Sequence, residues 1–187
     1  NAGTYVAKLT VTYNETETII AEKEFTIEKA TGEISVDQTT ITKTYGEAVT
    51  LPTATSNFGT VVCDKDASDL INAGTYTVTY SVAEGDNYTG DTKTLTVVIN
   101  KATYDMSAIS FESATYAYDG EPKVLKVSGT LPTGVTVEYT LNTLTNVGCI
   151  EVTATFTGDK DNYNEIPSMT ATLIVTYDIE NVTTLHI

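Results

Sequence analysis

Four oxygen-bearing side chains, Asp159, Asp161, Asn162 and Asn164, fall within six residues. Carboxylate and amide oxygens in a flexible turn are a donor set that calcium accepts. The spacing is not that of an EF-hand, which needs a glycine at its sixth position and a glutamate at its twelfth. The same residue types also favour tight turns, because Asp and Asn side chains bond their own backbone. This turn is the candidate calcium site, and Asp86-Asn87 repeats it in part. Asp64, Asp66 and Asp69 form a looser acidic group. Two of these turns also carry a tyrosine, Tyr88 and Tyr163, with Tyr104 and Tyr116 near other turns. Such rings can stack on a sugar face or close the end of a sandwich, since one side is apolar and the tip is polar. Tyr88 and Tyr163 are the candidate binding residues.

Other chemistry has less to build on. Cys63 and Cys149 stand at unrelated positions, and Cys149 replaces the threonine found at positions 4 and 75. The expectation is two unpaired, half-buried small residues. His186 is the single histidine, so a catalytic triad or a histidine-based zinc site lacks its partners. Paired carboxylates for glycoside cleavage could hide among 25 acids. An active site, however, would not be copied with every repeat. No catalytic residue and no cofactor other than calcium is expected, and the chain reads as a non-enzyme.

Those turns sit between strands. Asn72-Ala73-Gly74-Thr75-Tyr76 opens a run in which Tyr76, Val78, Tyr80 and Val82 alternate with Thr75, Thr77, Thr79 and Ser81. That period is a strand with one apolar face. The stretch also stands at Asn1-Ala2-Gly3-Thr4-Tyr5 and at Asn146-Val147-Gly148-Cys149-Ile150, at spacings of 71 and 74 residues. A period of that size is a small domain rather than a solenoid unit. Residues 1–30 read as the closing half of a repeat, 31–102 and 103–176 as complete modules, and 177–187 as the start of a further domain or a linker. Lys29-Ala30 and Lys101-Ala102 mark the junctions, too short to be floppy.

Within the modules, strands are expected near Glu33–Val36, Ala48–Leu51, Phe58–Cys63 and Thr92–Asn100, and near Val124–Val127, Val135–Leu141, Cys149–Phe156 and Met169–Val175. Asp64–Leu70 has room for one helical turn. Short strands with turns every 8–12 residues predict an all-β fold of small Ig-like sandwiches, with β-grasp-like modules as the alternative. No segment of ten or more residues carries a helical stripe.

The formal charge is −15, from 25 acidic residues against 10 lysines and no arginine. This argues against nucleic-acid binding, which rests on neutralising phosphates, and an acidic surface favours solubility. No apolar run reaches the length of a membrane span.

The Tyr45-Gly46-Glu47 and Tyr118-Asp119-Gly120 turns, the Asn-Ala-Gly-Thr stretches, the Asn87-Tyr88 and Asn162-Tyr163 turns and the Lys-Ala endings together resemble the MBG/YDG repeats of bacterial extracellular and cell-surface proteins. The resemblance covers residues 1–176. It departs at Cys149-Ile150 and at Thr176-Tyr177, where Lys-Ala is lost. It implies tandem Ig-like modules, an extracellular or cell-surface location, and no catalytic residues. The expected role is a non-catalytic spacer forming a semi-rigid stalk, whose partners are the neighbouring repeats. The alternatives are an adhesin module gripping host glycan or surface protein, and an accessory domain of a polysaccharide-degrading enzyme.

Overall fold

The computed structural model describes residues 1–177. The expectations placed on residues 178–187, including His186, lie outside the described residues. The chain divides into two compact units, Asn1–Ile99 and Asn100 onward. Both are all-β; the described residues hold twelve strands and one short 3-10 turn, Ala67–Asp69.

One hairpin recurs three times. It is formed by β1 (Gly3–Tyr13) with β2 (Thr16–Ile27), by β7 (Gly74–Val82) with β8 (Asp91–Asn100), and by β11 (Gly148–Thr157) with β12 (Met169–Thr176). The register is the same at the head of each: Gly3 opposes Ile27, Gly74 opposes Ile99, and Gly148 opposes Val175. In the first two copies the tyrosine two residues after the glycine folds back along its own strand. Tyr76 donates its hydroxyl to the carbonyl of Asn72 at 2.9 Å, and Tyr5 does the same to Asn1 at 2.7 Å. Its ring then covers the glycine, whose φ is 158° at Gly74 and 147° at Gly3. In the third copy Ile150 has no hydroxyl to donate, and Gly148 has left the positive-φ region. The motif is thus a tyrosine latch over a glycine, and the retained glycine changes its backbone conformation where the tyrosine is lost.

In the first unit, β7 and β8 lie at the centre of a four-stranded sheet, with β4 (Thr40–Thr44) and β6 (Val62–Cys63) on its edges. A second, two-stranded layer pairs β3 (Ile34–Ser35) with β5 (Thr55–Ser56). The expected alternation is observed: Val78, Tyr80 and Val82 are buried with Leu95, Val97 and Ile99, against Ile34, Ile41 and Leu70. This is a small sandwich.

The second unit orders its main sheet β10-β11-β12-β9, with β9 (Ala114–Ala117) parallel to β12 and β10 (Thr136–Thr140) antiparallel to β11. Val152, Ala171 and Leu173 pack with Leu125, while Ala154 and Phe156 pack with Ile109, Val135 and Ile166.

Three expected strands are changed. Ala48–Leu51 forms no ladder, and the edge beside β8 is taken by Thr40–Thr44, where only Ile41 is buried. Phe58–Cys63 is broken at Gly59, whose φ is 64°, so only Val62-Cys63 pairs with β7. Val124–Val127 forms no ladder because side chains take its backbone bonds. Leu125 donates its N–H to Asn142 Oδ1 at 2.7 Å, and the Asn142 amide returns a bond to the Leu125 carbonyl at 2.6 Å. The Val127 N–H bonds the Tyr139 hydroxyl at 2.8 Å. A side chain that mimics a strand leaves no periodic trace in the sequence.

The cysteines also depart from expectation. Cys63 and Cys149 are unpaired, as expected, but exposed rather than half-buried. Cys149 occupies the outward phase of β11, and Cys63 lies on an edge strand.

Leu95 and Leu173 are fully buried. Replacing either with alanine leaves a cavity and is expected to lower unfolding stability by about 2–5 kcal/mol. Leu9→Ala, at a side chain 59% exposed, is expected to change it by less than ~0.5 kcal/mol. Urea unfolding of the three variants checks this, and equal losses at all three sites would contradict the core described.

Candidate functional site

The candidate calcium turn follows β11. Gly158 begins it, and a Cβ there would lie 2.5 Å from Tyr104 Cε2, so only glycine lets that ring approach. Asp159 then organises the turn. Its Oδ1 accepts the N–H groups of Asp161 at 2.9 Å and Asn162 at 3.2 Å, and its Oδ2 accepts the Asn162 amide at 3.0 Å. Asn162 is buried. The Asn164 amide is bonded instead to Thr103 Oγ1 at 2.8 Å. The structure therefore brings Asp159 and Asn162 together, uses Asp161 through its backbone, and commits Asn164 to the segment alongside. Among the described residues no group of three His, Cys, Asp or Glu side chains is arranged to hold a metal.

That neighbouring segment, just after β8, is the Lys101-Ala102 step. Ala102 donates its N–H to the Asn162 carbonyl at 2.9 Å and accepts the Asn164 N–H at 2.8 Å. Lys101 reaches over the turn to the Lys160 carbonyl. The first unit repeats the arrangement. Ala30 donates to the Asn87 carbonyl at 2.8 Å and accepts the Thr89 N–H at 2.9 Å. Lys29 bonds the Gly85 carbonyl at 2.8 Å and pairs with Glu84. In sequence, Lys-Ala closes one strand; in the structure it is clamped by the Asn-Tyr turn of the module that follows. Sequence reading missed this role for Lys29 and Lys101. The signal available was their recurrence at the head of each stretch that carries an Asn-Tyr turn.

Tyr88 and Tyr163 both stack on a second ring. Tyr163 lies on Tyr104 with centroids 3.9 Å apart and planes 12° apart, and Tyr88 lies on Phe58 at 4.8 Å and 8°. Phe58 and Tyr104 in turn pack against the cores of their units. The Tyr104 hydroxyl also accepts the Asp159 N–H at 3.0 Å, which ties ring and turn together. Beside them a cleft of about 400 Å³ is lined by Lys101, Tyr104, Phe156, Lys160, Tyr163 and Ile166. Lysines, tyrosine edges and an apolar floor suit a small polar ligand with one flat apolar face. Among the remaining sequence candidates, Asp64 accepts the Thr79 N–H at 2.7 Å, and Asp69 accepts the Asp66 N–H at 2.9 Å, closing the 3-10 turn. Tyr116 is exposed on β9.

The bond from the Asn162 amide, followed by the Asp161 and Asn162 N–H groups and the Lys101 charge, holds the Asp159 carboxyl below the usual carboxylate range. A carboxyl whose folded value is lowered stabilises the fold above its unfolded value, near 3.9, and loses that contribution as pH falls through the folded value. The gap between wild type and Asp159→Asn in pH-dependent unfolding is expected to be full at pH 7 and to close in strong acid. A gap unchanged down to pH 2 would contradict the assignment. Saturating calcium is expected to raise the melting temperature by a few degrees at most. A large rise, abolished by Asp159→Asn, would make the turn a structural metal site.

No protein-family model and no curated protein matches the chain. Among solved structures, a chimeric titin Z1Z2-Z1Z2 tandem carrying a GRGDS peptide from fibronectin is similar at 15% identity and a TM-score of 0.24, covering 77% of this chain and 100% of its own.

Proposed function

We propose that the chain is a non-catalytic spacer segment of a cell-surface or secreted bacterial protein, in which successive modules are joined by short clamped junctions. The observation that carries the reading is the length of the joint. β8 ends at Asn100, and Ala102 is already hydrogen-bonded to the Asn162 turn, so Lys101 alone separates the two. One residue gives the chain little freedom to swivel. The acidic, threonine-rich strand faces support the same reading, since charge on exposed strands opposes edge-to-edge aggregation. The role needs no metal and no reaction, and the bacterial surface location rests on the MBG/YDG resemblance.

A second reading is favoured by the cleft at Tyr104 and Tyr163. An adhesin would use it to hold host glycan, with the ring edges against a sugar face. An accessory domain of a polysaccharide-degrading enzyme would use the same chemistry.

Residual dipolar couplings test the spacer. Residues 31–99 and 103–176 are expected to share one alignment tensor, and a flexible insertion of about six Gly/Ser residues between Asn100 and Lys101 is expected to separate them. Two independent tensors in the unaltered chain would end the stalk reading. Binding to a glycan and mucin array that is lost in Tyr163→Ala would move the reading to adhesin.

A further inference from the structure

The β1–β2 hairpin is amphipathic and bare. Paired residues of an antiparallel ladder share a face. One face carries Tyr5 with Phe25, Ala7 with Lys23, Leu9 with Ala21, Val11 with Thr18, and Tyr13 at its tip. The other carries Thr4 with Thr26, Val6 with Glu24, Lys8 with Glu22, Thr10 with Ile19 and Thr12 with Glu17, so it is mostly polar with Val6 and Ile19 as its two large apolar residues, and Lys8 and Glu22 form an ion pair at 2.9 Å. The polar face matches the solvent faces of the other hairpins. The apolar face is the one both other copies bury. Leu9, Val11, Phe25 and Ile27 are between 46% and 59% exposed. At the equivalent register Tyr80, Val82, Val97 and Ile99 are at most 4% exposed. Exposed apolar side chains gathered on one face mark an interaction surface.

The two complete copies show what covers this face. In the first unit it is the segment ahead of the hairpin, through Ile34, Ile41 and Leu70. In the second it is again the segment ahead, through Leu125 packed on Val152 and Leu173. The same hairpin, in the same register, presents the same face to a partner of one kind each time. Charge supports the match. Lys23 stands where Leu95 and Ala171 stand in the other copies, opposite Ala7. The segment 31–71 holds six acidic residues against two lysines, so a partner of that composition can set a carboxylate against Lys23.

We infer that the apolar face of β1–β2 is a docking surface for the first half of a module of this same kind, a segment patterned like residues 31–71 and joined ahead of Asn1 as Ile71 is joined ahead of Asn72. The inference rests on the repeat reading above, yet the two fail separately: the couplings probe residues 31–176, and the test below probes residues 1–27.

The test is a graft. Residues 31–71 are fused directly ahead of Asn1 of the 187-residue chain, and amide exchange of residues 1–27 is compared with that of the unfused chain. At least tenfold slower exchange on β1–β2 is expected, with loss of hydrophobic-dye binding. Ile34→Asp in the graft is expected to reverse both. A second graft, fused to a chain with Ala7→Val and Lys23→Leu, matches the core positions of Val78 and Leu95 and guards against a simple misfit. Protection in either graft supports the inference. Its absence in both overturns it. So does concentration-dependent protection of residues 1–27 in the unfused chain, which would give the face to a second copy.

Discussion

Burial of one face of a two-residue alternation is the constraint on which everything else in this protein depends. Val78 and Leu95 in one unit, and Val152 and Leu173 in the other, are fully removed from water. Each fully buried aliphatic side chain contributes about 1.5–3 kcal/mol relative to an exposed one. A module of roughly 70 residues has little surplus over its conformational entropy, so these few side chains decide whether it folds. The hairpin keeps its register because slipping one residue would turn valines and leucines outward and threonines inward. The latch of Tyr5 and Tyr76 over the leading glycine sets that register at its start.

The turns that looked most like chemistry serve the same constraint. Asp159 spends both carboxylate oxygens on its own loop, and that loop holds Ala102 by two backbone bonds. The ring pairs Tyr104–Tyr163 and Phe58–Tyr88 join the turns to the cores, through Tyr104 and Phe58. The recurring Asn-Tyr and Lys-Ala motifs are therefore two halves of one clamp, some 60 residues apart in sequence. The same pair of backbone bonds forms in both units, at Ala30 and at Ala102.

Sequence alone determined the strands whose signal is local. Strict alternation at positions 74–82 and 148–157, and the apolar phase at 173 and 175, set the hairpins, their inward faces and the all-β class, because period two is a property of the backbone itself. Tertiary structure decided what depends on partners far along the chain. Ile41 alone could not announce β4, which forms because β8 offers it an edge. Asn142 gave no sign that it would stand in for a strand beside Leu125. Lys-Ala read as the end of one module until its hydrogen bonds joined it to the turn of the next. Alternation is encoded residue by residue, whereas a hydrogen-bond partner is chosen only when folding brings distant backbone groups together.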